Sequence, residues 1–219
     1  MSNTKFLKNQ RFGKWQLAEY ISAGGNGVVW KAICVDNSSE IVAIKLLTNS
    51  DKEGYTRFRD EVKVLRENSD IEGLLQPIDY YLPEKPKDTP WYTMPLATPL
   101  IEFMNGKTPE QIVDVIISVS NILIKLHRRD ISHRDIKPAN ILVKDDIIFL
   151  CDFGLVEYPT KADITPSRKD VGPHWTIAPE MKRNPSLADG KSADVYSLAK
   201  TLWILLTKQE KGFEGQYSV

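Results

Sequence analysis

The run His133-Arg134-Asp135-Ile136-Lys137-Pro138-Ala139-Asn140 is followed, twelve residues after its Asn, by Asp152-Phe153-Gly154. Together they put a proton-accepting carboxylate, an ammonium, an amide oxygen and a second carboxylate around one loop-and-strand unit. That is equipment for holding Mg²⁺ and moving a phosphoryl group. Asp135 fits the base, or orienting group, for an attacking hydroxyl. Lys137 neutralises charge on the transferred group, while Asn140 and Asp152 offer the hard oxygen ligands that suit Mg²⁺. Arg134 stands where it could anchor a phosphate on a neighbouring loop. His133 reads as a core histidine that packs and hydrogen-bonds. Either short motif is cheap by chance; the ordered, spaced pair is not.

Two further residues need each other. Ile41-Val42-Ala43-Ile44-Lys45-Leu46-Leu47 is apolar on both faces and reads as a buried strand. Lys45 inside it must meet an anion, because an unpaired buried ammonium is costly. Glu61 lies at i+3 from Phe58 and i−4 from Leu65, within the apolar stripe of a helix over about Lys52–Glu67. Asp60 points away from that stripe. The expectation is a Lys45–Glu61 ion pair, with a lysine snorkelling near a strand end as the plainer alternative. Upstream, Ile21-Ser22-Ala23-Gly24-Gly25-Asn26-Gly27-Val28-Val29 is a Gly-rich strand–turn–strand. Glycine there lets backbone amides approach phosphate oxygens. Alone the segment is an ordinary turn; its place just before Val42-Ala43-Ile44-Lys45 favours the phosphate reading.

The elements that must position these groups fall into two parts. Trp15–Ile21, Gly27–Val35 and Ile41–Leu47 read as strands, then comes the Lys52–Glu67 helix, then strand candidates at Leu74–Tyr81 and Trp91–Leu96. The second part is mainly helical. Thr108-Pro109-Glu110-Gln111 is a capping box with Pro at the first helical position. Ile141–Val143 and Ile147–Cys151 form two short strands, Leu155–Ile177 is a long aperiodic loop, and Ala193–Leu206 is a final helix that is apolar nearly all round. The break falls near Ala97–Pro99.

Composition excludes some partners. The 219 residues carry 29 basic and 29 acidic side chains, so no global field draws in nucleic acid or an anionic membrane. No apolar stretch approaches the roughly 20 residues that span a bilayer, and the first residues lack an apolar signal region. Cys34 and Cys151 sit in apolar strand-like runs and read as reduced core thiols, which fits a cytoplasmic location.

These residues together resemble the eukaryotic-type protein kinase family over about Trp15 to Leu206. The set is the Gly-rich loop with Val29, Val42-Ala43-Ile44-Lys45, Glu61, His133–Asn140, Asp152-Phe153-Gly154, Ala178-Pro179-Glu180 and Asp194-Val195-Tyr196-Ser197-Leu198. Small-molecule kinases of related fold match it less well. The resemblance implies an α+β, bilobal protein-kinase-like fold. Its small antiparallel β-sheet N-lobe (15–97) would carry one main helix, follow an N-terminal extension (1–14) and precede a mainly helical C-lobe (98–219). ATP would lie between the lobes. By resemblance, Lys45 contacts the α/β-phosphates, Glu61 orients it, and Ile21, Ser22, Gly24 and Gly27 belong to the nucleotide site. Val29, Ala43 and Leu142 would sandwich the adenine, with Met94 to Ala97 as the hinge. Phe153, His133 and Leu65 would stack. Asp135, Lys137, Lys45 and Glu61 are the implied catalytic set, Asn140 and Asp152 the Mg²⁺ ligands, and Lys137 at its place is the serine/threonine form.

The chain also departs from the family. Ser22 replaces the first glycine of the phosphate loop. Pro173 and Thr176 stand where serine/threonine members commonly have Thr and Tyr, which removes a hydroxyl partner for Asp135 and Lys137. After the last helix only Thr207–Val219 remains, so the C-lobe is expected to lack its last helices. The leading reading is a Mg²⁺/ATP-dependent serine/threonine kinase acting on an unidentified protein substrate, with Thr160, Thr165 and Ser167 as candidate phosphosites. The rival is a catalytically weak or inactive kinase-fold binding or scaffold module.

Overall fold

Apolar residues at every second position of the first strands force a sheet with one face turned to a core. In the computed structural model, described at residues 6–24, 27–49, 51–84, 88–159, 161 and 175–209, that sheet has six antiparallel strands. They are β1 (Arg11–Phe12), β2 (Trp15–Ala23), β3 (Gly27–Cys34), β4 (Ile41–Leu47) and, after helix α1 (Lys52–Glu67), β5 (Asp79–Tyr81) and β6 (Trp91–Pro95). Their order is β1-β2-β3-β4-β6-β5. Val42, Ile44 and Leu46 join Trp15, Val28 and Trp30 in one apolar cluster, to which Phe6 and Phe12 also contribute. On the other face of β4, Lys45 meets α1 through Glu61. Asp51 caps α1 by accepting from the Gly54 N–H at 2.7 Å.

One expected strand is mostly absent. Of Leu74–Tyr81, only Asp79–Tyr81 is strand, and Leu74 makes a lone parallel bridge to Leu150. Pro77 has no N–H to give a ladder, which ends pairing at that point.

The chain forms two units, Met1–Ser69 with Leu75–Ala97, and Asp70–Leu74 with Thr98–Val219. The second contains β7 (Thr98–Pro99), α2 (Leu100–Phe103), α3 (Pro109–His127), β8 (Ile141–Lys144), β9 (Ile147–Leu150), α4 (Pro179–Arg183) and α5 (Gly190–Thr207), with β7-β8-β9 as a small sheet. Thr108 and Gln111 form the expected capping box at the start of α3. Asp145 and Asp146, both at positive φ, make the tight turn between β8 and β9. Helix α5 is not buried on every side: Val195 is 62% exposed, while Asp194, Ser197 and Thr201 are buried. Hydrogen bonding by these polar residues chooses the inner face, which an apolar count does not see. Cys34 is buried and Cys151 only half-buried, and neither is in a disulfide. Among the described residues no helix is long and apolar enough to cross a membrane.

Gly73 sets the level of β9 and hence of Asp152. Its carbonyl accepts from the Leu150 N–H at 2.8 Å, its φ is +95°, and a Cβ there would lie 2.4 Å from Ile122 Cδ1. Gly73→Ala therefore combines a strained backbone with a clash and should destabilise the chain by roughly 2–4 kcal/mol. Urea denaturation measures this; an unchanged midpoint would contradict it.

Candidate active site

In the first unit the ion pair forms. Lys45 Nζ lies 2.8 Å from both Glu61 carboxylate oxygens, and the Tyr92 hydroxyl donates to Glu61 Oε1 at 2.9 Å. Lys45 and Glu61 are 6% and 1% exposed, so both charges are desolvated and survive through this complete pairing. Tyr92 was not legible in the sequence. It stands opposite Lys45 in the β4–β6 register, which no pattern within either strand reveals. The same registers align Val29 with Lys45 and Ala43 with Met94, so these four side chains share one face of the sheet. Asp60, expected to turn away, is buried as well.

The Gly-rich turn is partly described. Gly24 N–H donates to the Gly27 carbonyl at 2.8 Å, and Ile21, Ser22 and Gly24 are exposed; Gly25 and Asn26 lie outside the described residues. Gly27 has a reason of its own to be glycine: a Cβ would sit 2.6 Å from the Leu46 carbonyl oxygen. Ala97, half-buried, is the last residue of this unit.

In the second unit the loop from His133 to Asn140 is held from behind. Asp194, wholly buried in α5, accepts from the backbone N–H of His133 at 2.8 Å and of Arg134 at 2.7 Å, and meets His127 Nε2 at 2.9 Å. Its place at the head of a motif was noted in the sequence, but its task was not. His133 Nδ1 accepts the Asp135 N–H at 3.2 Å, so its proton sits on Nε2, 3.1 Å from the Cys151 carbonyl. Its ring packs on Phe153 at 4.5 Å between centroids, as befits a core histidine.

Asp135 is the centre of this set. Its Oδ2 accepts from Lys137 Nζ at 2.9 Å and from Asn140 Nδ2 at 2.8 Å. Asn140 Nδ2 also reaches the Asp135 carbonyl at 2.9 Å, whereas Asp135 Oδ1 is buried with no hydrogen-bond partner. Burial pushes the Asp135 carboxyl above its usual range; the Lys137 ammonium opposes this and the Asp152 charge adds to it. Asp152 follows β9 at φ +63°. With its NH₂ committed to Asp135, Asn140 keeps its amide oxygen for a ligand, and that oxygen and the Asp152 carboxylate are hard donors of the kind that Mg²⁺ takes. Among the described residues no three His, Cys, Asp or Glu side chains gather into a self-sufficient metal site. The ion would need oxygens from a phosphate, as Mg²⁺ commonly does.

The remaining expected residues belong to the second unit. Leu142, half-buried in β8, pairs with Phe149. Arg134, expected to anchor a loop phosphate, has its guanidinium on Glu157 at 2.9 Å. Thr176 is buried with an unpartnered hydroxyl, and its carbonyl accepts from Ser197. Thr160, Thr165, Ser167 and Pro173 lie outside the described residues.

Two measurements follow from these geometries. Lys45→Met should destabilise by about 3 kcal/mol by stranding a buried carboxylate, and adding Glu61→Leu should recover much of that loss; additive costs in thermal melts would refute the coupling. For Asp135 the folded state binds the proton more tightly than the unfolded chain. Stability therefore falls as pH rises from the ordinary carboxylate range through the raised value. Asp135→Asn should melt above the wild type at neutral pH, with the gap closing in acid; a pH-independent gap would contradict this.

Residues 15–217 match the protein kinase domain family. The chain is 29% identical over 221 residues to the serine/threonine-protein kinase PknA of Corynebacterium glutamicum, covering 94% of this chain and 45% of that protein. It is 32% identical over 197 residues to PknL of Mycobacterium tuberculosis, covering 85% and 47%. Against the cyclin-dependent kinase F-4 of Oryza sativa it is 28% identical, covering 89% and 42%. The chain thus spans about half the length of these curated relatives. A crystal structure of a kinase domain superposes with a TM-score of 0.74 at 19% identity, over 92% of this chain and 67% of that one, a likeness of fold.

Proposed function

Because this chain belongs to the protein kinase family, we propose that it transfers the γ-phosphoryl group of ATP to a serine or threonine hydroxyl of a protein. The observation that carries this reading is Asp135. One of its oxygens is taken by Lys137 and Asn140, and the other is buried, unpartnered and raised in basicity. A carboxylate in that condition orients an incoming hydroxyl and takes its proton. The hydroxyl oxygen bonds to the γ-phosphorus, the bond to the β-phosphate bridging oxygen breaks, and ADP leaves.

Lys137, tethered to Asp135, carries positive charge to the transferred group. In the first unit Lys45, held by Glu61, takes the α/β-phosphates, and the face shared by Val29, Ala43 and Met94 receives the adenine. Asn140 and Asp152 would hold Mg²⁺, which when bound neutralises phosphate charge. Residues 15–97 and 98–219 are read as the two lobes, and the cytoplasm, with its ATP and Mg²⁺, is the setting. The serine/threonine preference rests on Lys137 and on the likeness to serine/threonine-protein kinases.

The test is transfer of labelled phosphate from ATP to an unstructured protein acceptor. Asp135→Asn should lower the rate by roughly 10²–10⁴-fold, and equal signal from the two proteins would refute the reading. Chelating Mg²⁺ should abolish transfer. Calorimetric titration of ATP into the protein should find saturable binding in excess Mg²⁺ that weakens when the ion is chelated.

A further inference from the structure

Arg134 is tightly constrained in backbone and side chain. Its φ is +65° and its N–H is fixed on Asp194. Its side chain is only 13% exposed, with Nη2 donating to the Pro185 carbonyl at 2.5 Å and lying 3.5 Å from Met181 Sδ. Those two partners carry no charge, and a guanidinium so far from water needs an anion. Glu157 supplies one, with Oε2 2.9 Å from Nη1.

Glu157 is itself held by its backbone rather than by chance of rotamer. Ser132 N–H donates to its carbonyl at 3.0 Å and Glu157 N–H returns a bond to Ser132 at 2.9 Å. Ser132 lies three residues before Asp135, and Glu157 five residues after Asp152. The bridge and the ion pair therefore staple the segment leaving Asp152 onto the segment entering Asp135. Helix α5 backs the staple so closely that a Cβ at Gly190 would lie 2.2 Å from Ser132 Oγ and 3.5 Å from Arg134 Cγ.

We propose that Glu157 is a positioning residue whose carboxylate provides, from within the chain, the anion that Arg134 requires, so that the Asp135 loop is set for transfer without a phosphate on the segment 160–174. This rests on the kinase reading. A phosphate brought to Arg134 would meet the Glu157 carboxylate, and like charges repel.

The experiment compares steady-state kinetics of the full chain, phosphatase-treated and untreated. Its variants are Glu157→Gln, Glu157→Asp and the triple Thr160→Ala/Thr165→Ala/Ser167→Ala. Phosphatase treatment and the triple variant should leave kcat within about twofold, whereas Glu157→Gln should lower it about fivefold, the worth of a half-exposed ion pair. KM for ATP should not move, and Glu157→Asp, which keeps the charge, should recover part of kcat. Loss of activity on phosphatase treatment or in the triple variant, or wild-type kcat in Glu157→Gln, would overturn the proposal. If the wild type transfers no more phosphate than Asp135→Asn, the kinase reading fails on its own. Hydrogen exchange then decides on Glu157: faster exchange of the 132–135 amides in Glu157→Gln supports the staple, and unchanged exchange overturns it.

Discussion

Asp194 is wholly buried, and its two oxygens are divided among the backbone N–H groups of His133 and Arg134 and the imidazole of His127. Without that carboxylate the loop would have no reason to hold Arg134 at positive φ, a conformation that costs a non-glycine residue about 1–3 kcal/mol. Charge-assisted hydrogen bonds to backbone N–H are strong enough to offset it. The consequences run outward in order. The bend fixes His133, whose ring takes the Asp135 N–H on one side and the Cys151 carbonyl on the other. Asp135 and the residue before Asp152 are thereby referred to one imidazole. The helix that carries Asp194 is 18 residues long, so the reference point is stiff.

The first unit solves a different problem with the same rule. Lys45 and Glu61 are far less exposed than ordinary surface ion pairs, where such contacts are worth little. They persist because the pairing is two-pronged and Tyr92 adds a third donor. Pinned on one side by the helix, the ammonium would have little freedom left to lose on meeting the phosphate proposed for it. Glu61 in one unit and Asp194 in the other are tolerated as buried carboxylates because both oxygens of each are hydrogen-bonded.

The sequence conveyed the regular elements wherever the pattern was local. Strand β4 and helix α1 have the bounds that their apolar spacing predicts, and the capping box at Thr108 forms as written. Buried charge on an apolar background was legible too, as Lys45 and Glu61 show. What escaped were partners set by register or by distant helices: Tyr92 across the sheet, Asp194 behind the loop, Glu157 against Arg134. The Leu74–Tyr81 strand failed for a local reason, the missing donor of Pro77. Helix α5 misled because its inner face is chosen by polar bonds, so Val195 lies outside while Asp194 and Thr201 lie inside.

Five residues, Asp70–Leu74, belong with the second unit although both flanking stretches belong with the first. The polypeptide therefore changes unit three times, after Ser69, Leu74 and Ala97. No single cut yields two intact pieces: dividing the gene at Ala97 would send Gly73 away with the wrong half, and the Leu150 N–H would lose the carbonyl that receives it. On a ribosome that carbonyl is made long before its partner, so the small sheet beside Asp152 closes only when much later sequence has emerged. The two units are in this sense interleaved along the chain rather than strung in series.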